Sequence, residues 1–386
     1  MSPSLHRPST LVARSGGVTS PTSGAFPADL SLGVTYARDT AYATPQDMTY
    51  ARDQGTPTLR QAEALLRDLE GGTDAMLLSS GMAASVAVFE SLPHGSRVVV
   101  PSIMYFGLTR WLREFGTPRG LRVVEVPNGD LDALRAAVTA EPTTLVWVET
   151  PANPTWLGAD LAASAESAHA AGALRGVDNT GATPCHTRPL ERGADIVMHS
   201  ATKYLNGHDD VVAGGLVTAG TAPVLWDRIR LHRQLAGPLP GALETYLLVR
   251  GMRTLVARMR WVSASALAIA EHFAVHPAIE RVAYPGLVSD PGHRVARRQM
   301  VGGYSGMLSL YVRGDVEPAL TVARSTQLFL RATSLGGTAS LVEHRFTFEG
   351  AGSRSPRNML RLSIGLEDTD DLVADIEDAL KAAQVD

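Results

Sequence analysis

The sequence predicts an α/β protein with a large domain built on a mainly parallel sheet and a smaller C-terminal α+β domain. Two observations support this prediction. From residue 59 onward, short continuous apolar runs alternate with amphipathic helical segments, which is the pattern of a parallel sheet covered by helices on both faces. The length of 386 residues exceeds what one hydrophobic core usually supports, so we expect two domains.

The elements follow in chain order. Residues 1–60 are rich in Ser, Thr, Pro and Gly without helical or strand periodicity, so we expect an extended N-terminal arm. The large domain is predicted over residues 61–255, with strands at DAMLLS, SRVVVP, LRVVEVP, TTLVWVE, LRGVDN, ADIVMHS and GGLVTAG. A long helical stretch over residues 241–277 leads into the small domain, predicted over residues 256–386. This domain contains the segments RVAYPG, SGMLSLYV, TQLFLRATS and MLRLSIGLE and a final helix.

Composition and charge argue against several classes of function. The net charge is −4, the pI is near 6.3 and the arginines are dispersed, so nothing indicates nucleic-acid binding. No apolar run reaches the ~18 residues that span a membrane, and residues 1–30 lack the apolar stretch of a signal peptide. Cys185 is the sole cysteine, which excludes an intrachain disulfide and favours a reducing compartment. We expect a soluble cytoplasmic protein whose partners are small molecules and like subunits.

The chain uses lysine at two positions, 203 and 381, among 35 lysines and arginines. Lys381 lies in the C-terminal helical pattern, where a cation complements the helix end. Lys203 lies in HSATKYLNGHDD, directly after a predicted strand. Arginine cannot lose its proton at accessible pH and cannot form an imine, so a lysine kept at this position indicates Schiff-base chemistry. A salt-bridging lysine without a catalytic task is the alternative.

Ligands of an open parallel sheet bind at the carboxyl ends of its strands, so the residues after each run are candidates. After DAMLLS, Ser80, Gly81 and Met82 open a helix whose free N–H groups could bind a phosphate, although helix packing could also explain them. After TTLVWVE, Asn153 is the polar centre of the turn TPANPT, which turn formation alone could explain. After LRGV, Asp178 is a carboxylate that needs a cation partner, unless it caps a helix.

The end of ADIVMH completes a set of residues at neighbouring strand ends. Ser200 and Thr202 supply hydroxyl groups beside Lys203, and these could bind the same phosphate as residues 80–82. Together with Asp178 they provide an imine-forming amine, an acid and a phosphate site. Pyridoxal 5'-phosphate (PLP) requires these three groups, because the lysine takes its aldehyde, the acid keeps its ring nitrogen protonated and the donors hold its phosphate.

With these residues assembled, the chain resembles the PLP-dependent enzymes of cysteine and methionine metabolism, which include cystathionine γ-synthases, cystathionine γ-lyases and methionine γ-lyases. The likeness runs from about residue 45 to the C-terminus. It is carried, in the family's order, by SSGMAA, ETPANPT, VDNTGATP, HSATKYLNGHDDVVAGG, RGMRTLVARM, YPGL, SLGG and LRLSIGLED. The resemblance implies an aminotransferase fold of type I, bound PLP and a homotetramer built from two catalytic dimers.

The resemblance also implies roles for individual residues. Lys203 would hold the cofactor as a Schiff base and move protons, with Tyr105 stacked on the ring and Asp178 at the ring nitrogen. The phosphate would be bound by Ser80, Gly81, Met82, Ser200 and Thr202, and by Tyr50 and Arg52 of a neighbouring subunit. The substrate would be bound by Arg361, which suits a carboxylate, with Asn153 and Ser334 nearby. The resemblance implies no metal.

Two departures from the family pattern bear on the substrate. Where this chain reads SLGGTASL, the family typically has a glutamate at the position of Ala339, in the substrate pocket. The segment EHRFTFEGAGSRSPRNM also differs from the usual proline-containing loop. Loss of a pocket carboxylate removes a partner for a distal ammonium group. We expect γ-elimination or γ-replacement on an amino acid with a γ leaving group. A specialised γ-lyase that acts on an unusual, for example halogenated, amino acid is one alternative, and a β-lyase is another.

Two other classes of protein are alternatives. His199, His208, Asp209 and Asp210 could form the site of a metal-dependent hydrolase, but they lack a recognised ligand spacing and leave Lys203 unexplained. A non-catalytic protein that binds the cofactor is the other alternative.

Overall fold

The computed structural model of the chain describes residues 6–14, 19–20, 23–26, 29–44 and 47–384. The strands within these ranges are β1 (Asp74–Leu78), β2 (Arg97–Pro101), β3 (Arg122–Val126), β4 (Leu145–Glu149), β5 (Leu174–Asp178), β6 (Ile196–Ser200), β7 (Gly214–Thr218), β8 (Ile279–Ala283), β9 (Met307–Val312), β10 (Leu330–Arg331), β11 (Leu341–Glu343) and β12 (Met359–Ser363). The helices are α1 (Pro8–Ala13), α2 (Ala51–Gln54), α3 (Pro57–Glu70), α4 (Gly81–Glu90), α5 (Phe106–Trp111), α6 (Leu131–Ala140), α7 (Leu161–Ala170), α8 (Thr183–His186), α9 (Pro223–Ala236), α10 (Ala242–Met252), α11 (Leu255–Phe273), α12 (His293–Gln299), α13 (Val316–Ser325), α14 (Arg345–Glu349) and α15 (Thr369–Ala382).

The first sheet has the strand order β1-β7-β6-β5-β4-β2-β3. Strand β7 runs antiparallel to both of its neighbours, and the other pairs are parallel. Its inner strands are mostly apolar on both faces because helices cover both, whereas the edge strand β3 is partly exposed. Along β2, Val98 and Val100 pack into the cluster on one face and Val99 into the cluster on the other. The seven apolar runs predicted as strands of the large domain are the strands of this sheet.

The second sheet has the order β10-β11-β12-β9-β8 and is antiparallel except for the β10–β11 pair. Helices α11, α13 and α15 supply the apolar residues that pack against it, among them Phe273, Val322 and Ile376. The predicted limit at residue 255 coincides with the start of α11, between the two sheets in sequence. The domain limits themselves stay a prediction.

The structure corrects two details of the sequence interpretation. The predicted arm is not extended throughout, because residues 8–13 form helix α1, whose Leu11 and Val12 are buried. A single apolar pair is too short a signal for periodicity, and several arm residues lie outside the described ranges. In the small domain, TQLFLRATS contributes only the two residues of β10. Strand β11 corresponds to none of the four segments expected as elements of this domain.

Among the described residues, no helix combines the length and the apolar character needed to cross a membrane.

Candidate active site

A cavity of about 340 Å³ opens at the carboxyl ends of β4, β5 and β6. Strand β12 and the segment before β11 close its other side, so residues from both sheets meet there. The predicted residues that line it are Ser80, Gly81, Met82, Tyr105, Asn153, Asp178, Ser200, Thr202, Lys203, Ser334 and Arg361. Three other predicted residues, Tyr50, Arg52 and Ala339, are not among the residues that line it.

One wall of the cavity is the N-terminus of α4. Ser80 is the N-cap residue, and its Oγ accepts a hydrogen bond from the backbone N–H of Ala83 at 3.0 Å. A Cβ on Gly81 would lie 2.7 Å from the Cβ of Ser200, so a glycine is needed for α4 to approach β6 this closely. The first N–H groups of a helix have no partner within it, and they favour an anion such as a phosphate.

Asp178 ends β5 and is buried. Its Oδ1 accepts a hydrogen bond from the N–H of Thr180 at 2.9 Å. Burial raises the pKa of Asp178, whereas the hydrogen bonds from Thr180 and the nearby His199 lower it. Among the described residues, none forms an ion pair with this carboxylate, so the expected protein cation is absent there. Its free acceptor capacity at the cavity wall suits the protonated ring nitrogen of a pyridine cofactor.

Lys203 follows β6 and projects between the two sheets. Its Nζ donates a 2.7 Å hydrogen bond to the Oγ of Ser334. Burial, and then the charge of Arg361, lower the pKa of Lys203 to about 8. An amine with a pKa near 8 is partly neutral at physiological pH, which is the form that attacks an aldehyde.

Arg361, on β12, is buried in the part of the cavity wall that the second sheet forms. Its guanidinium donates to the Ser334 carbonyl at 2.9 Å and to the Asn153 Oδ1 at 3.3 Å, and pairs with Glu343 at 2.6 Å. Burial lowers the pKa of Arg361 to about 10. The side chain is held in place and still charged, as binding of a carboxylate requires.

Two charged residues of the cavity wall were not predicted from the sequence. Glu149, at the end of β4, accepts hydrogen bonds from the backbone N–H groups of Tyr105 and Asn153 at 2.6 and 2.7 Å. Arg345 pairs with Glu343 at 2.9 Å and with Glu349 at 2.8 Å. Both had a signal in the sequence, because Glu149 is the last residue of a predicted strand and Arg345 lies in EHRFTFEG, which departs from the family pattern.

The remaining predicted residues lie at the rim or outside the cavity. Tyr105 is 44% exposed, and its ring lies so close to Gly107 that a Cβ there would be 2.7 Å from it. Tyr50 and Arg52 are exposed on the surface, with the guanidinium 5.4 Å from the centre of the tyrosine ring. Ala339 is half-buried. The implied roles of these residues stay predictions.

Three of the four residues of the hydrolase alternative have separate local contacts. His199 Nε2 lies 2.6 Å from Glu70, His208 Nδ1 lies 2.7 Å from the Asn206 carbonyl, and Asp210 accepts from the Asn206 side chain. The described part of the chain contains no group of three or more His, Cys, Asp or Glu side chains that could hold a metal ion.

The model of the family described as Cys/Met metabolism PLP-dependent enzyme matches residues 9–381. The chain belongs to this family. It is 40% identical to a cystathionine γ-synthase of Mycobacterium tuberculosis over 379 residues, which cover 97% of this chain and 96% of the relative. It is 34% identical to a cystathionine γ-lyase of Dictyostelium discoideum over 386 residues, which cover 98% of each chain.

Solved structures of family members have the same fold. The metB protein of Corynebacterium glutamicum superposes with a TM-score of 0.94 at 35% identity, over 99% of both chains. A cystathionine γ-synthase of Xanthomonas oryzae pv. oryzae, solved with aminoacrylate and cysteine, superposes with a TM-score of 0.92 at 31% identity, over 99% of both chains. The predicted family, fold class, cofactor and enzyme class, a PLP-dependent lyase or transferase, are therefore confirmed.

Proposed function

We propose that this enzyme catalyses γ-elimination or γ-replacement on an amino acid that carries a leaving group at Cγ, in the manner of a cystathionine γ-synthase or γ-lyase. The observation that carries the proposal is the position of Lys203, whose Nζ bonds Ser334 next to Arg361. An amine and a carboxylate-binding arginine in one cavity suit an α-amino acid. The names of the relatives support the γ position, because γ-synthases and γ-lyases are the similar proteins.

In this proposal PLP, when bound, supplies an electron sink that stabilises negative charge at Cα and then at Cβ of the substrate. The N-terminus of α4 with Ser200 and Thr202 holds its phosphate, and Asp178 pairs with its ring nitrogen. The free acceptor of Asp178 and the close contact between Gly81 and Ser200 support this arrangement.

Lys203 is the proton carrier of the proposed reaction. Arg361 and Asn153 hold the substrate carboxylate, which directs Cα toward the Lys203 amine. The neutral amine removes the Cα proton and later exchanges a proton at Cβ, with Tyr105 at the cavity rim as a second proton-transfer group. A pKa of about 8 suits both directions of transfer, because the amine and the ammonium are both populated near neutral pH.

A neighbouring copy of the chain completes the site in this proposal. Tyr50 is 40% exposed and Arg52 lies beside it, although neither lines the cavity of its own chain. The arm also exposes Leu32 and Val34, which are 71% and 54% accessible and would be covered in an assembly. A homotetramer of two catalytic dimers, and a cytoplasmic location, remain proposals.

The product panel is the experiment that tests the function. The purified enzyme is incubated with cystathionine, methionine, homocysteine, O-acyl-homoserines and γ-halogenated amino acids, with and without a thiol, and the products are identified by mass spectrometry. We expect a γ-substituted amino acid to yield ammonia and a 2-oxo acid, or a new thioether when thiol is present. Products of β-cleavage, or no turnover of any γ-substituted compound, would contradict the proposal. Turnover of the halogenated compounds alone would narrow it to specialised metabolism.

The two lysines give a matched control. Lys203→Ala should abolish turnover and prevent the attachment of PLP by borohydride reduction, whereas Lys381→Ala should do neither, because Lys381 is 71% exposed and forms a surface ion pair with Asp378. Retained turnover in Lys203→Ala would refute the assigned role.

A further inference from the structure

Glu149 connects two segments of the site that lie far apart in the sequence. Its Oε2 accepts the N–H of Tyr105, at the start of α5, and its Oε1 accepts the N–H of Asn153, in the turn after β4. The distances of 2.6 and 2.7 Å are at the short end of the range for N–H···O hydrogen bonds. Glu149 itself is 8% exposed and lines the cavity. One carboxylate therefore fixes the separation of two backbone positions at the cavity wall.

The contacts continue from both ends of this connection. At one end, the Tyr105 ring lies at the cavity mouth. At the other, Asn153 Oδ1 accepts from Arg361 at 3.3 Å. A displacement of the backbone at Asn153 would move the acceptor that helps to orient the Arg361 guanidinium.

Burial of the Glu149 carboxyl group beside Asp178 costs free energy, which indicates that a carboxyl group is needed at this position. Glu149 and Asp178 are paired neighbours on parallel strands, so their side chains leave the same face of the sheet. Burial, and then the Asp178 carboxylate, raise the pKa of Glu149 to about 8. An apolar residue would avoid this cost. A carboxyl group turns an oxygen toward each of the two N–H groups, whereas a glutamine would turn an NH₂ group toward one of them.

We propose that Glu149 is a positioning residue that holds Tyr105 and the Asn153–Arg361 pair at the separation needed for an amino acid to bind between them. This inference rests on the proposed function only in that the ligand is an α-amino acid. It does not depend on which group leaves from Cγ.

The test uses glycine, an amino acid without a side chain, as the probe of the PLP-loaded enzyme. Its dissociation constant is measured from the change in the cofactor absorbance, and the circular dichroism of the bound cofactor reports the ring environment. Glu149→Gln should weaken glycine binding about 10-fold, the equivalent of one lost hydrogen bond, and should change the cofactor dichroism. Glu141→Gln makes the same chemical change in an exposed ion pair at the opposite end of the sheet and should alter neither.

A double-mutant cycle separates positioning from simple destabilisation. If Glu149 acts through Asn153, the effects of Glu149→Gln and Asn153→Ala on glycine affinity should be less than additive. Unchanged glycine affinity and dichroism in Glu149→Gln, or full additivity in the cycle, would overturn the inference. If Glu149→Gln shows no cooperative unfolding transition, Glu149→Asp takes its place under the same criteria. If the wild-type enzyme binds glycine but turns over none of the γ-substituted amino acids, the proposed function is contradicted and the inference about Glu149 is not.

Discussion

The Nζ of Lys203 and the Oγ of Ser334 form a 2.7 Å hydrogen bond that spans the cavity between the two sheets. Ser334 has a φ of 92°, a backbone conformation that is unfavourable for a residue with a Cβ. Its carbonyl is also fixed, since it accepts from Arg361 at 2.9 Å. The serine thus touches both the amine and the carboxylate-binding arginine of the proposed reaction.

Replacement of Ser334 tests this contact. Ser334→Ala removes the hydroxyl but keeps the carbonyl, so we expect kcat to fall about 10-fold, from the loss of one hydrogen bond to a charged amine, with a smaller change in KM. Ser334→Gly should show the same fall in kcat. It should also raise the free energy of unfolding by about 1 kcal/mol, because glycine adopts a positive φ without strain. Steady-state kinetics and denaturant unfolding give both quantities. A wild-type kcat in both variants would show that the hydroxyl does not matter.

The lowered pKa of Lys203 can be tested by chemical labelling of the cofactor-free protein. The rate of acetylation of Lys203 should rise with pH around a midpoint of about 8, because the reactive form is the neutral amine. Lys381 is the internal control, since its hydrogen bond with Asp378 raises its pKa above the ordinary 10.5. Peptide mass spectrometry resolves the two sites. Equal midpoints would contradict the prediction.

The same shift predicts a pH dependence of stability in the cofactor-free protein. The pKa of Lys203 is about 8 when folded, below the ordinary 10.5. Between these values the unfolded chain binds more protons, so the contribution of Lys203 to the free energy of unfolding rises with pH. Comparison with Lys203→Met across this window isolates the effect, and a parallel pH dependence of the two proteins would contradict it.

Asp178→Asn should lower the activity of the enzyme and raise the stability of the cofactor-free protein. The asparagine can still accept the Thr180 N–H, but it carries no charge for the cofactor nitrogen, so kcat should fall by about 100–1,000-fold. In the cofactor-free protein the variant should be more stable at neutral pH. Burial raises the folded-state pKa of Asp178, so its carboxylate costs stability as the pH rises through the range in which it ionises. Kinetics and thermal unfolding measure the two effects, and a wild-type kcat would contradict the role of Asp178.

Arg361→Lys should raise KM by about 10–100-fold with a smaller effect on kcat. A lysine cannot bind a carboxylate with two parallel hydrogen bonds while it also contacts Glu343 and Ser334. Arg357→Lys is the control, because Arg357 forms an exposed pair with Asp315. Saturation kinetics on the substrate identified by the product panel distinguish the two variants. A normal KM in Arg361→Lys would contradict the assignment.

Arg345→Met should lower the free energy of unfolding by about 3–5 kcal/mol, because the buried Glu349 loses its arginine and Glu343 loses one of its arginine partners. These three side chains are at most 8% exposed. Arg354→Met breaks the exposed pair with Glu125 and should cost less than about 1 kcal/mol. Urea unfolding of both variants provides the comparison, and equal losses would contradict the prediction.

The sequence alone predicted the large sheet and most of the cavity wall. Apolar runs between helical segments identified β1 to β7, because strands covered by helices on both faces have few polar positions. Residues that follow such strands had to meet at one edge of a parallel sheet. The pattern therefore predicts that Asp178, Ser200 and Lys203 lie together. Lysine occurs at position 203 in a chain whose cationic residues are otherwise arginine except at 381, and this use of lysine indicates Schiff-base chemistry.

Only the tertiary structure decided how distant segments complete the site. Ser334 and Arg361 reach Lys203 because the second sheet packs against the first, and no local periodicity encodes that packing. Glu149 and Arg345 were missed for the same reason. A buried carboxyl group or guanidinium is stable when groups from other segments bond to it. For Glu149 these are the N–H groups of Tyr105 and Asn153. Local sequence patterns specify which face of an element is apolar, whereas the pairing of buried charges depends on contacts that form only in the folded chain.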